Sequence, residues 1–186
     1  MGRKRRQWVP FAYHHITSRG NNRQRIFRDE IDMAEVFRIL SMIYAQYKFS
    51  ICNYCIMTNH YHLLLKSEEV SISKIMALFN KRYTEYHNQK YSHIGHVYQQ
   101  RFYSSPALTP HDLIEVSKYI NRNPINTNPP MVSKMEDYPY SSYQFIKNNQ
   151  TPPYPFITFE DLPKKIFHPE KKIYLNYCEY VELEEE

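Results

Sequence analysis

Hydrophobic and polar residues alternate along this chain with periods that change from segment to segment, and the changes outline its elements. Residues 11–18 are mostly aromatic, histidine or β-branched, which predicts a strand. It ends at Ser18-Arg19-Gly20-Asn21-Asn22, a turn composition with two candidates for left-handed backbone. Asp29 is placed to cap a helix in which Ile31, Met33, Val36, Ile39, Leu40, Ile43 and Tyr44 keep helical spacing to about Tyr47. Residues 49–57 and 60–65 predict two strands, and the intervening Thr58-Asn59 a tight hairpin. A second helix is predicted over 72–88, with Ile75, Leu78, Phe79 and Tyr86 on one side; residues 97–103 are strand-like, and a third helix begins near Pro110 and ends before Pro124.

The order β, α, β, β, α, β, α with a central hairpin predicts an α+β fold. It is the ferredoxin-like or RRM-like split β-α-β core, an antiparallel sheet with helices packed on one face. Three parts are expected: a basic arm over 1–10, a domain over 11–146, and a Pro/aromatic linker with an acidic tail over 147–186. No internal repeat is visible.

Composition narrows the chemistry. The 186 residues suit one core, and only three are glycines, at positions 2, 20 and 95. Neither a dinucleotide fingerprint nor a phosphate-binding loop can be built from them, so no nucleotide cofactor held that way is expected. Tyrosine is abundant, at 18 residues. It serves as core filler, stacking platform or nucleophile, and composition does not choose among these. The net charge is +5, but the last eight residues contain five glutamates and no basic residue, so the rest of the chain carries +10. A polyanionic partner is the natural reading. Three cysteines are too few for a disulfide framework, and no apolar run is long enough to span a membrane, which predicts a cytoplasmic location.

Candidate chemistry starts at His60-Tyr61-His62. Residues two apart in a strand share a face, so both imidazoles form a platform for a metal while Tyr61 points away. The alternatives are a pair of hydrogen-bonded histidines, or a zinc site in an interaction domain that adds Cys52 and Cys55. Cysteines three apart in a strand face opposite ways, which ranks the zinc reading below the two-histidine platform and predicts small buried hydrophobes instead. Two histidines need a third ligand, and a tyrosine nucleophile four residues from it on a helix would share its face. Tyr83 with His87 and Tyr119 with Asn123 both satisfy this spacing. Pro124 biases Asn123 away from helical geometry, which weakens the second pair at its last residue.

Five phrases carry a resemblance. They are Tyr13-His14-His15-Ile16-Thr17-Ser18-Arg19-Gly20-Asn21-Asn22-Arg23, Met57-Thr58-Asn59-His60-Tyr61-His62-Leu63-Leu64, Gly95-His96-Val97-Tyr98-Gln99-Gln100-Arg101-Phe102, Tyr119-Ile120-Asn121-Arg122-Asn123-Pro124, and Tyr138-Pro139-Tyr140-Ser141-Ser142-Tyr143. In this order they resemble the REP-associated tyrosine transposases, members of the single-tyrosine HUH transposases (IS200-like). Tyr61 at the middle of the HUH triplet is a mild departure that alters neither ligand, and Arg122, Ile125, Ile94 and Gln100 depart from the usual pattern in ways that bear on the DNA sequence read more than on the chemistry.

The resemblance implies an HUH endonuclease fold with Tyr119 as nucleophile and His60, His62 and Asn123 as ligands of Mg²⁺ or Mn²⁺. It implies single-stranded DNA, with a hairpin, as substrate and a 5′-phosphotyrosine intermediate. A phenol ionises at about pH 10, so a tyrosine nucleophile needs local activation. Backbone contacts are expected from Arg3, Lys4, Arg5, Arg6, Arg19, Arg23, Arg25 and Arg101. Such a protein would be nucleoid-associated, as a monomer or homodimer. The competing class is a domesticated, non-cleaving single-stranded nucleic-acid binding module on the same fold.

Overall fold

A computed structural model describes residues 7–183. Its centre is a four-stranded antiparallel sheet in the order β2-β3-β1-β4, built from β1 (Tyr13–Arg19), β2 (Ser50–Ile56), β3 (His60–Lys66) and β4 (Tyr103–Ala107). This is the predicted split β-α-β order, with the β2–β3 hairpin to one side and the two crossover strands β1 and β4 adjacent.

The helices α1 (Glu30–Gln46) and α2 (Ile72–Tyr91) pack on each other and on one face of the sheet. Asp29 caps α1 by accepting from the Asp32 amide, and Ser71 caps α2 through Lys74. Strand alternation supplies the matching surface. Ile16 of β1 and Tyr61, Leu63 and Leu65 of β3 join Val36, Leu40, Ile75 and Phe79 in one core. The third helix, α3 (Pro110–Arg122), lies on the opposite face and not with the first two. There Ile114 and Ile120 meet Tyr13, Cys52, Cys55 and Leu64, because the sheet's second face also carries apolar side chains that need cover.

Three further expectations are corrected. The fourth strand is Tyr103–Ala107, not residues 97–103. Val97 and Phe102 are apolar because they plug the core from an irregular segment, whereas Ser104, Ser105 and Pro106 do the pairing with β1. Pro106 is tolerated because β4 is an edge strand. The parity argument for the cysteines also fails. The register of β2 slips between Ile51 and Asn53, and this bulge turns Cys52 to the same face as Cys55. Both are nonetheless fully buried, and burial pushes both thiols up. Lastly, Asn123 keeps right-handed helical dihedrals (φ −50°, ψ −46°) despite the proline that follows.

Beyond Asn148 the chain folds back onto the sheet. Phe156 is buried in the α1/α2 core, and its carbonyl accepts from the Ile51 amide (2.7 Å), covering the exposed edge of β2. After the short helix α4 (Tyr143–Lys147) and the hairpin β5 (Ile166–His168) and β6 (Ile173–Leu175), helix α5 (Tyr177–Glu182) packs on α3. No helix among the described residues is long and apolar enough to cross a membrane.

Candidate active site

The α3 face of β3 presents His60 and His62, and α3 passes over them. Thr109 and Asp112 form a reciprocal capping box, and Pro110 occupies the first turn. From that fixed start, 3.6-residue periodicity turns Tyr119 and Asn123 to one side, while Ile114, Ser117, Ile120 and Asn121 are buried. The helix is also pinned from below. Asn53 of β2 donates to Ser117 Oγ (2.6 Å), and the Tyr177 hydroxyl bonds Ser117 and accepts from Asn121 Nδ2 (2.9 Å).

The result brings four of the predicted residues together. The His60 and His62 rings meet edge to face with centroids 5.0 Å apart, and the Tyr119 ring stands perpendicular to His62 at 5.4 Å. Tyr119 is about half exposed (52%). The Asn123 carboxamide faces both imidazoles and donates to the Tyr119 carbonyl at 2.8 Å.

The electrostatics favour neutral imidazoles. Burial, with the Arg19 charge, lowers the pKa of His60 to about 4. Burial, together with His60, His15 and Arg19, lowers that of His62 to about 2. Both rings therefore offer lone pairs at neutral pH. The δ nitrogens are already engaged: His60 Nδ1 donates to Asn59 Oδ1 at 2.6 Å, and His62 Nδ1 lies 2.9 Å from His15 Nε2. Asn123 faces His62 but does not satisfy it, and His62 Nε2 stays buried without a hydrogen-bond partner among the described residues. An orphaned ring nitrogen beside a second imidazole and an amide oxygen is a donor set that fits a divalent cation.

The alternative pair, Tyr83 and His87, lies elsewhere. Tyr83 is fully buried on the α1/α2 side of the sheet, donates to the Ile26 carbonyl at 2.8 Å, and burial pushes its hydroxyl far up. Among the described residues, no cluster of three or more His, Cys, Asp or Glu is placed to hold a metal, so Cys52 and Cys55 are not grouped with His60 and His62 as the zinc reading requires.

Arg19 continues β1 opposite His60, and Arg23 and Arg25 are exposed in the loop that follows. That loop uses left-handed backbone at Asn22 (φ 50°) and Arg23 (φ 56°), and the Arg23 carbonyl accepts from Asn59 Nδ2. Arg101 lines a cleft of about 540 Å³ between α2 and residues 96–102, shared with Asn80, Thr84 and His96. Arg3, Lys4, Arg5 and Arg6 lie outside the described residues. Sequence reasoning did not single out His15. Its signal was strand parity, which puts His15 on the same face of β1 as Tyr13 and therefore toward α3.

This is a split β-α-β sheet with a histidine pair on an inner strand and a tyrosine on the covering helix, the architecture of the single-tyrosine HUH proteins. The profile of the family described as "Transposase IS200 like" matches residues 9–123, and the chain belongs to that family. Among solved structures, a REP-associated tyrosine transposase bound to a REP hairpin shares the fold. Its TM-score is 0.67 at 18% identity, over 82% of this chain and 89% of that one. A protein of Deinococcus radiodurans R1 described as a transposase aligns at 16% identity with a TM-score of 0.45, over 65% of this chain and 97% of that one. No curated protein matches significantly.

Proposed function

We propose that this protein is a metal-dependent single-stranded DNA endonuclease and strand transferase acting on hairpin-bearing DNA. The observation that carries this reading is the convergence of His60, His62 and Asn123 beneath an exposed Tyr119. Mg²⁺ or Mn²⁺ held by these three neutral ligands would retain its full charge to polarise the scissile phosphate and orient it for in-line attack.

The chain's own residues supply the remainder. The Tyr119 hydroxyl forms a bond to phosphorus as the bond from phosphorus to the 3′ oxygen breaks, and the phenolic proton is made up on the departing oxygen. The products are a 5′-phosphotyrosine and a free 3′-hydroxyl. One phosphoester replaces another, so a 3′-hydroxyl reverses the step and joins strands without a nucleotide triphosphate. All four residues come from one chain, which supports a monomer as the cleaving unit. Arg19, Arg23, Arg25 and Arg101 are available for backbone phosphates. The structural neighbour's complex with a REP hairpin supports a hairpin substrate here.

The test is incubation with labelled single-stranded hairpin DNA and Mn²⁺, followed by denaturing electrophoresis. A covalent protein–DNA adduct is expected from the native chain and none from Tyr119→Phe. An adduct that persists in Tyr119→Phe refutes the nucleophile. Hairpin binding without any adduct at any divalent metal favours the non-cleaving binder.

A further inference from the structure

His15 lies in β1 across the sheet from Leu64, yet its side chain reaches diagonally to His62. The two ring nitrogens are 2.9 Å apart. The ring centroids are 5.2 Å apart with planes 24° from parallel, a separation that lets the two nitrogens meet along the line between the rings, as a linear N–H···N bond requires. The same ring also packs edge-on against Tyr119 at 5.8 Å and Tyr103 at 6.4 Å, which leaves it little freedom to turn.

Two neutral imidazoles share one proton in such a bond, and its position decides what His62 can do. If His62 Nδ1–H donates to His15 Nε2, then His62 Nε2 keeps its lone pair. If His15 donates instead, His62 carries its proton on Nε2, aimed at the Asn123 carboxamide, and that nitrogen has no lone pair left for a cation. The arrangement at His60 is parallel, since a carbonyl oxygen of Asn59 can only accept and so also directs the proton to Nδ1.

We propose that His15 is a positioning residue for the metal site: it accepts the Nδ1 proton of His62 and thereby holds the Nε2 lone pair toward the cation. This rests on His60, His62 and Asn123 forming that site. Outer partners of ligating histidines fix tautomer and ring orientation, and their loss typically weakens metal affinity about 10- to 100-fold.

The first measurement uses the native, metal-free chain labelled with ¹⁵N at histidine. Long-range ¹H–¹⁵N spectra should show His62 as the Nδ1–H tautomer, and a dominant Nε2–H tautomer overturns the proposal. The second is Mn²⁺ binding without DNA, by calorimetry or by the EPR signal of free Mn²⁺. His15→Phe should bind about 10- to 100-fold more weakly, with a mixed His62 tautomer. His15→Gln, which retains an acceptor oxygen, should recover part of the loss. Native affinity in a folded His15→Phe overturns the role of His15 while leaving the metal site standing. A native chain that binds no Mn²⁺, or binds it as well after His60→Ala, overturns the site itself and His15's role with it.

Discussion

Replacing Tyr177 by phenylalanine tests whether the C-terminal helix holds the tyrosine-bearing helix in place. The Tyr177 hydroxyl is buried between α5, α3 and β2, where it bonds Ser117 and accepts from Asn121 Nδ2 (2.9 Å) and Asn53 Nδ2 (3.3 Å). Asn53 keeps Ser117 Oγ as acceptor at 2.6 Å after the change. Asn121 is fully buried, its Oδ1 already lacks a partner, and its amide hydrogens have no other acceptor among the described residues. Removing the oxygen therefore strands one buried donor, which costs roughly 1–3 kcal/mol. About 2 kcal/mol in a domain of this size lowers Tm by roughly 4–8 °C. The assay is urea and thermal unfolding of Tyr177→Phe beside Tyr174→Phe, whose ring is mostly exposed and should be neutral. Helix α3 carries Tyr119 between these two anchored residues, Ser117 and Asn121, so adduct formation by the folded variant should fall about tenfold. A loss under about 0.5 kcal/mol, or full activity with the stability lost, refutes the idea that the tail positions the nucleophile.

Other parts of the molecule give sharper contrasts. Asp32 is fully buried and accepts from the Arg28 amide, Tyr86, Tyr91 and Lys90, each at 2.7–2.8 Å. Burial pushes its carboxyl up, but Lys90 and the other donors outweigh that and hold it below its ordinary value of 3.8. Its contribution is thus complete above about pH 4 and lost as pH falls through the lowered pKa. Asp32→Asn should cost about 3 kcal/mol at pH 7, and the gap to the native chain should close on acidification in pH-dependent urea melts. Gly20→Ala places a Cβ 2.3 Å from the Gln24 carbonyl oxygen and 2.9 Å from Ile26, which forces the turn beside Arg19 to move. A loss of about 2 kcal/mol with weaker DNA binding is expected, measured by melting and filter binding. Gly95→Ala meets nothing within 4 Å and strains only its own backbone (φ 106°), so it should leave binding intact. Cys52→Ser should leave bound Mn²⁺ unchanged in elemental analysis of the folded protein, since neither thiol faces a metal cluster.

Much of this protein is legible in its sequence because short-range geometry is written in short-range pattern. A period of two placed His60 and His62 on one face, a period of 3.6 placed Tyr119 with Asn123, and Asp29 and Thr109 announce their helices. These follow from backbone geometry and hold whatever the rest of the chain does. The same rules left Tyr83 with His87 as good a pair as Tyr119 with Asn123, and only the family resemblance favoured the second.

Tertiary structure separated them by placing α2 and α3 on opposite faces of the sheet, so Tyr83 became core and Tyr119 met the histidines. A bulge at Cys52 reversed the parity that simple alternation predicts, and packing drew Val97 and Phe102 inward without making their segment a strand. His15 became a neighbour of His62 through pairing of strands 47 residues apart. Each of these depends on which surfaces remain to be buried once the elements meet, a property of the assembled molecule that no local window of sequence contains.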